Sequence, residues 1–156
     1  MYAEDAWIRI QEKVDPALVK VIFINSNKIK PAVFGNGHHA INKCYKVRNG
    51  YLTFIESGEG IFEGYEFNKY KPRELAGQTL TSIDEKIVNQ AGIFLGMSKQ
   101  DVERIIKRRI TSPETRIAYE SVELINDIPF DVITSLIIDI EENELSRFTV
   151  ITSRTN

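Results

Sequence analysis

One stretch of this chain, Met97 to Arg109, carries a full set of helix signals, and it lies among runs that read as β-strands. Ser98 is a good N-cap, and Asp101 stands three residues on, as in a shortened capping box. Met97 before the cap can pack on Val102, the spacing of a hydrophobic staple. Val102, Ile105 and Ile106 share one face at helical spacing. Asp101 and Glu103 occupy the first turn, and Lys107, Arg108 and Arg109 are expected in the last, matching both ends of the helix dipole. A lone amphipathic helix cannot bury its own apolar face, so the rest of the chain must supply a surface for it.

The strand signals supply a sheet. Leu18 to Ile24 is rich in β-branched residues and reads as a buried strand, set off by the Asp15-Pro16 break. Trp7 to Gln11 fits a short strand or the first turns of a helix. Ile29 to Phe34 reads as a returning strand at an edge, because Pro31 has no N–H to donate. After the Gly35-Asn36-Gly37 loop, Ile41–Val47 and Tyr51–Ile55 form a hairpin in which Asn49-Gly50 predicts a type I′ turn. Ser57 to Gly60 turns into Ile61–Phe67. From Lys69 to about Gln90 the pattern weakens to loop, with a short strand over Thr79–Ile83. Beyond Pro113, Arg116–Ile125, Val132–Ile140 and Leu145–Ile151 read as strands, and in the last Phe148 and Val150 alternate with Arg147, Thr149 and Thr152, as one face of an antiparallel sheet requires. Turns fall at Asn126–Pro129 and Glu141–Glu144.

These elements define an α+β fold, a mainly antiparallel β-meander sheet with one principal helix over about 98–109 packed on it. The 156 residues suit a single domain over 1–156. Its N-terminal meander spans about 1–68, and the helix and C-terminal strands span about 92–152. A formal charge of −2 without long one-sign blocks gives no support to nucleic-acid or anionic-membrane binding. No run reaches the ~20 apolar residues that span a bilayer. Cys44 is the only cysteine, so no internal disulfide forms. That fits a reducing compartment, and equally a periplasmic protein without disulfides. Met1 to Trp7 reads as a native start, or as a mature secreted start behind an added methionine. A periplasmic location follows if a signal was removed, and a cytoplasmic one otherwise.

Chemistry-bearing clusters are sparse. His38 and His39 with Cys44 could bind a metal or pair a thiolate with a base, but a four-ligand zinc site needs another Cys or His. A solvated loop followed by a buried cysteine explains them more simply, so no catalytic, metal or cofactor residue is assigned. No phosphate loop, nucleophile elbow or zinc-protease motif occurs. Glu141, Glu142 and Glu144 form an acidic tip at a turn, read either as a solvated turn or as an engagement point for a basic partner. The first half is rich in aromatics. Tyr51, Tyr65 and Tyr70, together with the three glutamates, are the candidate protein-interface residues, since tyrosine is favoured at interfaces.

The stretch from Gly92 to Ile106, Gly-Ile-Phe-Leu-Gly-Met-Ser-Lys-Gln-Asp-Val-Glu-Arg-Ile-Ile, resembles the entry to the helix in BLIP-like (β-lactamase-inhibitor-protein-like) and SmpA/OmlA-type small envelope proteins. The resemblance covers roughly residues 92–151. It departs from the family at the helix C-terminus, where Pro113 follows but the usual glycine is missing, and in lacking the lipid-attachment cysteine. It implies a non-enzymatic binding protein of cell-envelope type. Taken with the absent catalytic constellation and the acidic tip and tyrosines, the expectation is a binding or inhibitor protein without cofactor, for instance a bacterial immunity protein that neutralises a toxin or cell-wall enzyme. The alternatives are an envelope-assembly or scaffold component, and a small enzyme using Cys44 with His38 or His39.

Overall fold

The computed structural model describes residues 7–22, 30–35, 40–57 and 62–155. Along them run β1 (Trp7–Ile10), α1 (Pro16–Val19), β2 (Val21–Ile22), β3 (Ala32–Gly35), β4 (Ala40–Val47), β5 (Gly50–Ser57) and β6 (Phe62–Asn68). Then follow β7 (Ser82–Ile83), β8 (Val88–Asn89), α2 (Lys99–Ile106), β9 (Glu114–Ile125), β10 (Ile128–Glu141) and β11 (Glu144–Thr155). Among the described residues nine strands join in one sheet, in the order β1-β9-β10-β11-β6-β5-β4-β3, with β7 alongside β4. Neighbours are antiparallel except β1 with β9 and β7 with β4. β2 and β8 pair separately. This is an α+β fold dominated by antiparallel sheet with one main helix, as the strand patterning and the single capped helix require.

Two meanders, β3 to β6 and β9 to β11, are welded by β6 against β11. One face of the joined sheet carries Tyr45, Leu52, Phe67, Phe148 and Ile138 in register from β4 to β10. All five are buried in the main core. Val102 and Ile106 of α2 pack into the same core with Leu18, Ile87, Ile93 and Met97. Met97 and Val102 are both in it, as the staple spacing implies. Ser98 Oγ accepts the Asp101 N–H at 3.1 Å, which satisfies one of the free donors at the helix start. The opposite face has a smaller apolar patch of its own. There the turn Arg73–Leu75 lies against β3, and Leu75 and Cys44 are fully buried outside the main core.

Several sequence expectations need correction. Leu18 to Ile22 is not one strand: Pro16–Val19 is a short helix, followed by the two-residue β2, and Ile24 lies outside the described residues. Asp15-Pro16 is its start, with Asp15 Oδ1 capping Ala17 N at 2.9 Å and proline in the first turn. Trp7–Ile10 resolves as a strand, paired in parallel with β9. The main helix ends at Ile106, where Lys107 adopts the left-handed conformation at φ 58. Arg108 N then bonds Glu103 O at 3.1 Å, and Glu103 Oε2 accepts Ile110 N at 2.8 Å. Lys107, Arg108 and Arg109 therefore follow the last turn instead of filling it. Between β4 and β5, Arg48 and Asn49 form the turn without positive φ, so the expected type I′ geometry is absent. True paired positive φ values occur at Asn126-Asp127 and Glu142-Asn143. Of the edge strand expected over Ile29–Phe34, Ile29 lies outside the described residues and β3 begins after Pro31, at Ala32, as the last strand in the order.

Buried polar groups lock the core-side loop to the sheet. Tyr65 Oη donates to Leu18 O at 2.5 Å and accepts from Asn89 Nδ2 at 3.2 Å. Asn89 Oδ1 accepts Ile93 N at 2.8 Å. Tyr65→Phe strands Leu18 O and the Asn89 amide and is expected to cost about 1–3 kcal/mol by urea denaturation. Burial pushes the Tyr65 phenol far above its ordinary value of 10. The unfolded chain therefore loses that proton first: the contribution is complete below about pH 10 and is lost as pH rises further. The stability–pH curve of Tyr65→Phe is expected to fall less steeply above that point. A second test addresses the β6–β11 weld, where a Cβ at Gly64 would stand 1.9 Å from Val150 O and 2.9 Å from Ile151 Cα. Gly64→Ala is expected to destabilise by about 3 kcal/mol, and an unchanged midpoint would contradict this close approach.

Candidate functional site

The β10–β11 turn is held on both sides. Glu141 pairs with Glu144, and Glu142 and Asn143 take φ values of 51 and 63 between them. On the helix side, Lys99 N bonds Asn143 O at 2.9 Å, Leu145 N bonds Met97 O at 2.9 Å, and Ser98 bridges Glu144. From β6, Lys69 N bonds Ser146 O at 2.8 Å, and Asn68 Oδ1 accepts Tyr70 N at 2.9 Å. This Asx turn aims Tyr70 at the acidic tip, and its Oη donates to Glu141 Oε2 at 2.6 Å. A small cleft of about 180 Å³ runs beside the tip, bounded by Asn49, Lys69 and Gly96. Glu141, Glu142 and Glu144 are exposed, and none forms an ion pair among the described residues.

The expected interface residues therefore separate. Tyr70, 54% exposed, sits with the three glutamates. Tyr51, half-buried, occupies the second face of β5, in register with Asn68 and, beyond it, Arg147. Tyr65 does not belong with them. It is 2% exposed and its hydroxyl is consumed inside the core, so it offers nothing to a partner. Tyrosine composition alone could not distinguish it from Tyr51; its partners lie far away in sequence.

Next to the tip lies a second charged group that the sequence reading missed. Arg147 Nε stands 2.8 Å from Asp139 Oδ2 without the alignment of a hydrogen bond, while its Nη2 donates to Asp139 Oδ1 at 3.4 Å. Glu114 lies 3.6 Å from Arg147 and 2.7 Å from Arg116. Glu66, 4.0 Å from Arg147, accepts the Thr149 hydroxyl at 2.8 Å. Same-face spacing within strands, as in Glu114 and Arg116, was the available signal, but only the register brings the charges of four strands together. These carboxylates are neutralised locally; those of the tip are not.

Cys44 is buried, and burial pushes its thiol up despite an opposing hydrogen bond from Thr53. A thiol held in its protonated form is a poor nucleophile. His38 and His39 lie outside the described residues. Among the described residues no group of three or more His, Cys, Asp or Glu is placed to hold a metal ion, and no helix is long and apolar enough to cross a membrane. Comparison with protein-family models, curated proteins and solved structures finds no match for this chain.

The hydrogen bond to Glu141 is the leading cause that pushes the Tyr70 phenol above its ordinary value, followed by desolvation and the charges of Glu141 and Glu142. In Glu141→Ala, Tyr70 is expected to deprotonate at lower pH than in the parent, measured by ultraviolet difference titration against Tyr70→Phe. Identical titrations would mean that phenol and carboxylate are apart in solution.

Proposed function

We propose that this chain is a non-enzymatic binding protein of inhibitor or immunity type, and that it engages the cationic surface of another protein through its acidic corner. The observation that carries this reading is the set of three exposed carboxylates without ion pairs on one clamped turn, adjoined by an exposed tyrosine. A fixed cluster of unneutralised charge steers an oppositely charged partner and sets register, while tyrosine supplies apolar area at low entropic cost. The buried, proton-bound thiol of Cys44 argues against the thiol-enzyme alternative. The resemblance of residues 92–151 to BLIP-like and SmpA/OmlA-type proteins adds support for a binder.

The test immobilises the chain, exposes it to extract of its native cells, and compares it with Glu141→Lys/Glu142→Lys/Glu144→Lys. A partner is expected to bind the parent, to weaken at least tenfold with the triple variant, and to elute as salt rises. No retained partner, or one indifferent to charge reversal, would sink the reading.

A further inference from the structure

At the opposite end of β10 and β11 from the acidic turn, a cavity of about 330 Å³ opens between α1 and the core face of the sheet. Its size lies within the range of small-molecule sites. Val14 and Val132 supply apolar wall. Thr134 and Thr152, 3% and 5% exposed, line it as a cross-strand pair with their hydroxyls 3.0 Å apart. One bond between two hydroxyls uses one proton of two. The second proton has no acceptor among the described residues, although a buried donor ordinarily finds one.

Lys13, ahead of the Asp15 cap, and Lys20, at the C-cap of α1, line the same cavity. The helix and Lys20 are pinned: Asp15 caps α1, Gln90 N bonds Lys20 O at 2.8 Å, and Ala91 N bonds Ala17 O at 3.1 Å. Neither lysine forms an ion pair among the described residues, whereas Arg154 beside them is held by Glu63 at 3.6 Å and Glu123 at 3.5 Å. The cavity thus combines free cationic heads, apolar walls and a buried hydroxyl donor.

We infer that this cavity binds a small organic anion with an apolar body, a carboxylate at one end for Lys13 and Lys20, and an oxygen at the other for the Thr134–Thr152 pair. The inference is independent of any protein partner at the acidic corner. The probe is 4-hydroxyphenylacetate, titrated into the full chain by calorimetry and followed by protein-observed NMR. It is compared with phenylacetate, which lacks the hydroxyl, and 4-hydroxyphenethyl alcohol, which lacks the charge.

One site per chain is expected, with each control about tenfold weaker, the worth of one hydrogen bond or one screened charge contact. Thr134→Val/Thr152→Val replaces both hydroxyls by groups of the same shape. It is expected to melt like the parent and to bind 4-hydroxyphenylacetate no better than phenylacetate. Lys13→Gln/Lys20→Gln alters only exposed side chains, so it reads out even if the threonine variant misfolds, and it is expected to remove the preference for the carboxylate. The inference is overturned if the parent shows no saturable binding at millimolar probe, if it binds the three compounds equally, or if the lysine variant keeps its discrimination.

Discussion

Everything in this fold depends on the pairing of β6 with β11. Each meander pairs by local hairpins, but Phe67 and Phe148 meet only across this weld. The row they complete, from Tyr45 to Ile138, is the floor on which α2 and the loop from Ile83 to Met97 rest. The weld is non-local, joining strands some eighty residues apart by register (Phe67 with Phe148). Its closure carries an entropic cost that the apolar row must offset. The glycine at position 64 belongs to the same argument, since the β11 backbone approaches where any side chain would begin.

The weld also explains the buried polar knot. Tyr65 sits between Gly64 and Phe67 on β6, facing the core, so its hydroxyl reaches the loop layer. Leu18 O and Asn89 meet it there, and Asn89 in turn closes the turn that ends at Ile93. A long irregular segment between β6 and α2 thereby gains defined backbone partners instead of relying on apolar contact alone. Such fully satisfied networks specify one arrangement among many of similar burial.

What could be read from the sequence was local. The cap at Ser98, the staple between Met97 and Val102, the alternation around Phe148 and Val150, and the edge position of β3 all follow from neighbours within a few residues. The errors arose where local signals competed. Asp15-Pro16 is both a break and a helix start, and the β-branched run after it masks the short helix. Lys107 ended the helix in a conformation usually left to glycine, which no composition rule announces. At the candidate site, Glu141, Glu142, Glu144 and Tyr70 were legible as turn acids and an aromatic. Which tyrosine faces water, and that Arg147 gathers Asp139, Glu114 and Glu66, depended on strand register and could not be read from spacing.

The turn itself bears on why those acids stand where they do. Glu142 holds φ 51, a region that costs a residue with a Cβ about 1 kcal/mol and that hairpin turns usually fill with Asn, Asp or Gly. The companion turn at Asn126-Asp127 follows that preference, and so does Asn143. Three carboxylates within four residues also repel one another, and none of them forms an ion pair among the described residues, whereas the acids around Arg147 are matched. Folding therefore gains nothing from Glu142 that asparagine would not supply better. Glu142 thus keeps a backbone conformation that local energetics disfavour because its neighbours hold the turn: Lys99 N bonds Asn143 O on one side, and Tyr70 donates to Glu141 on the other.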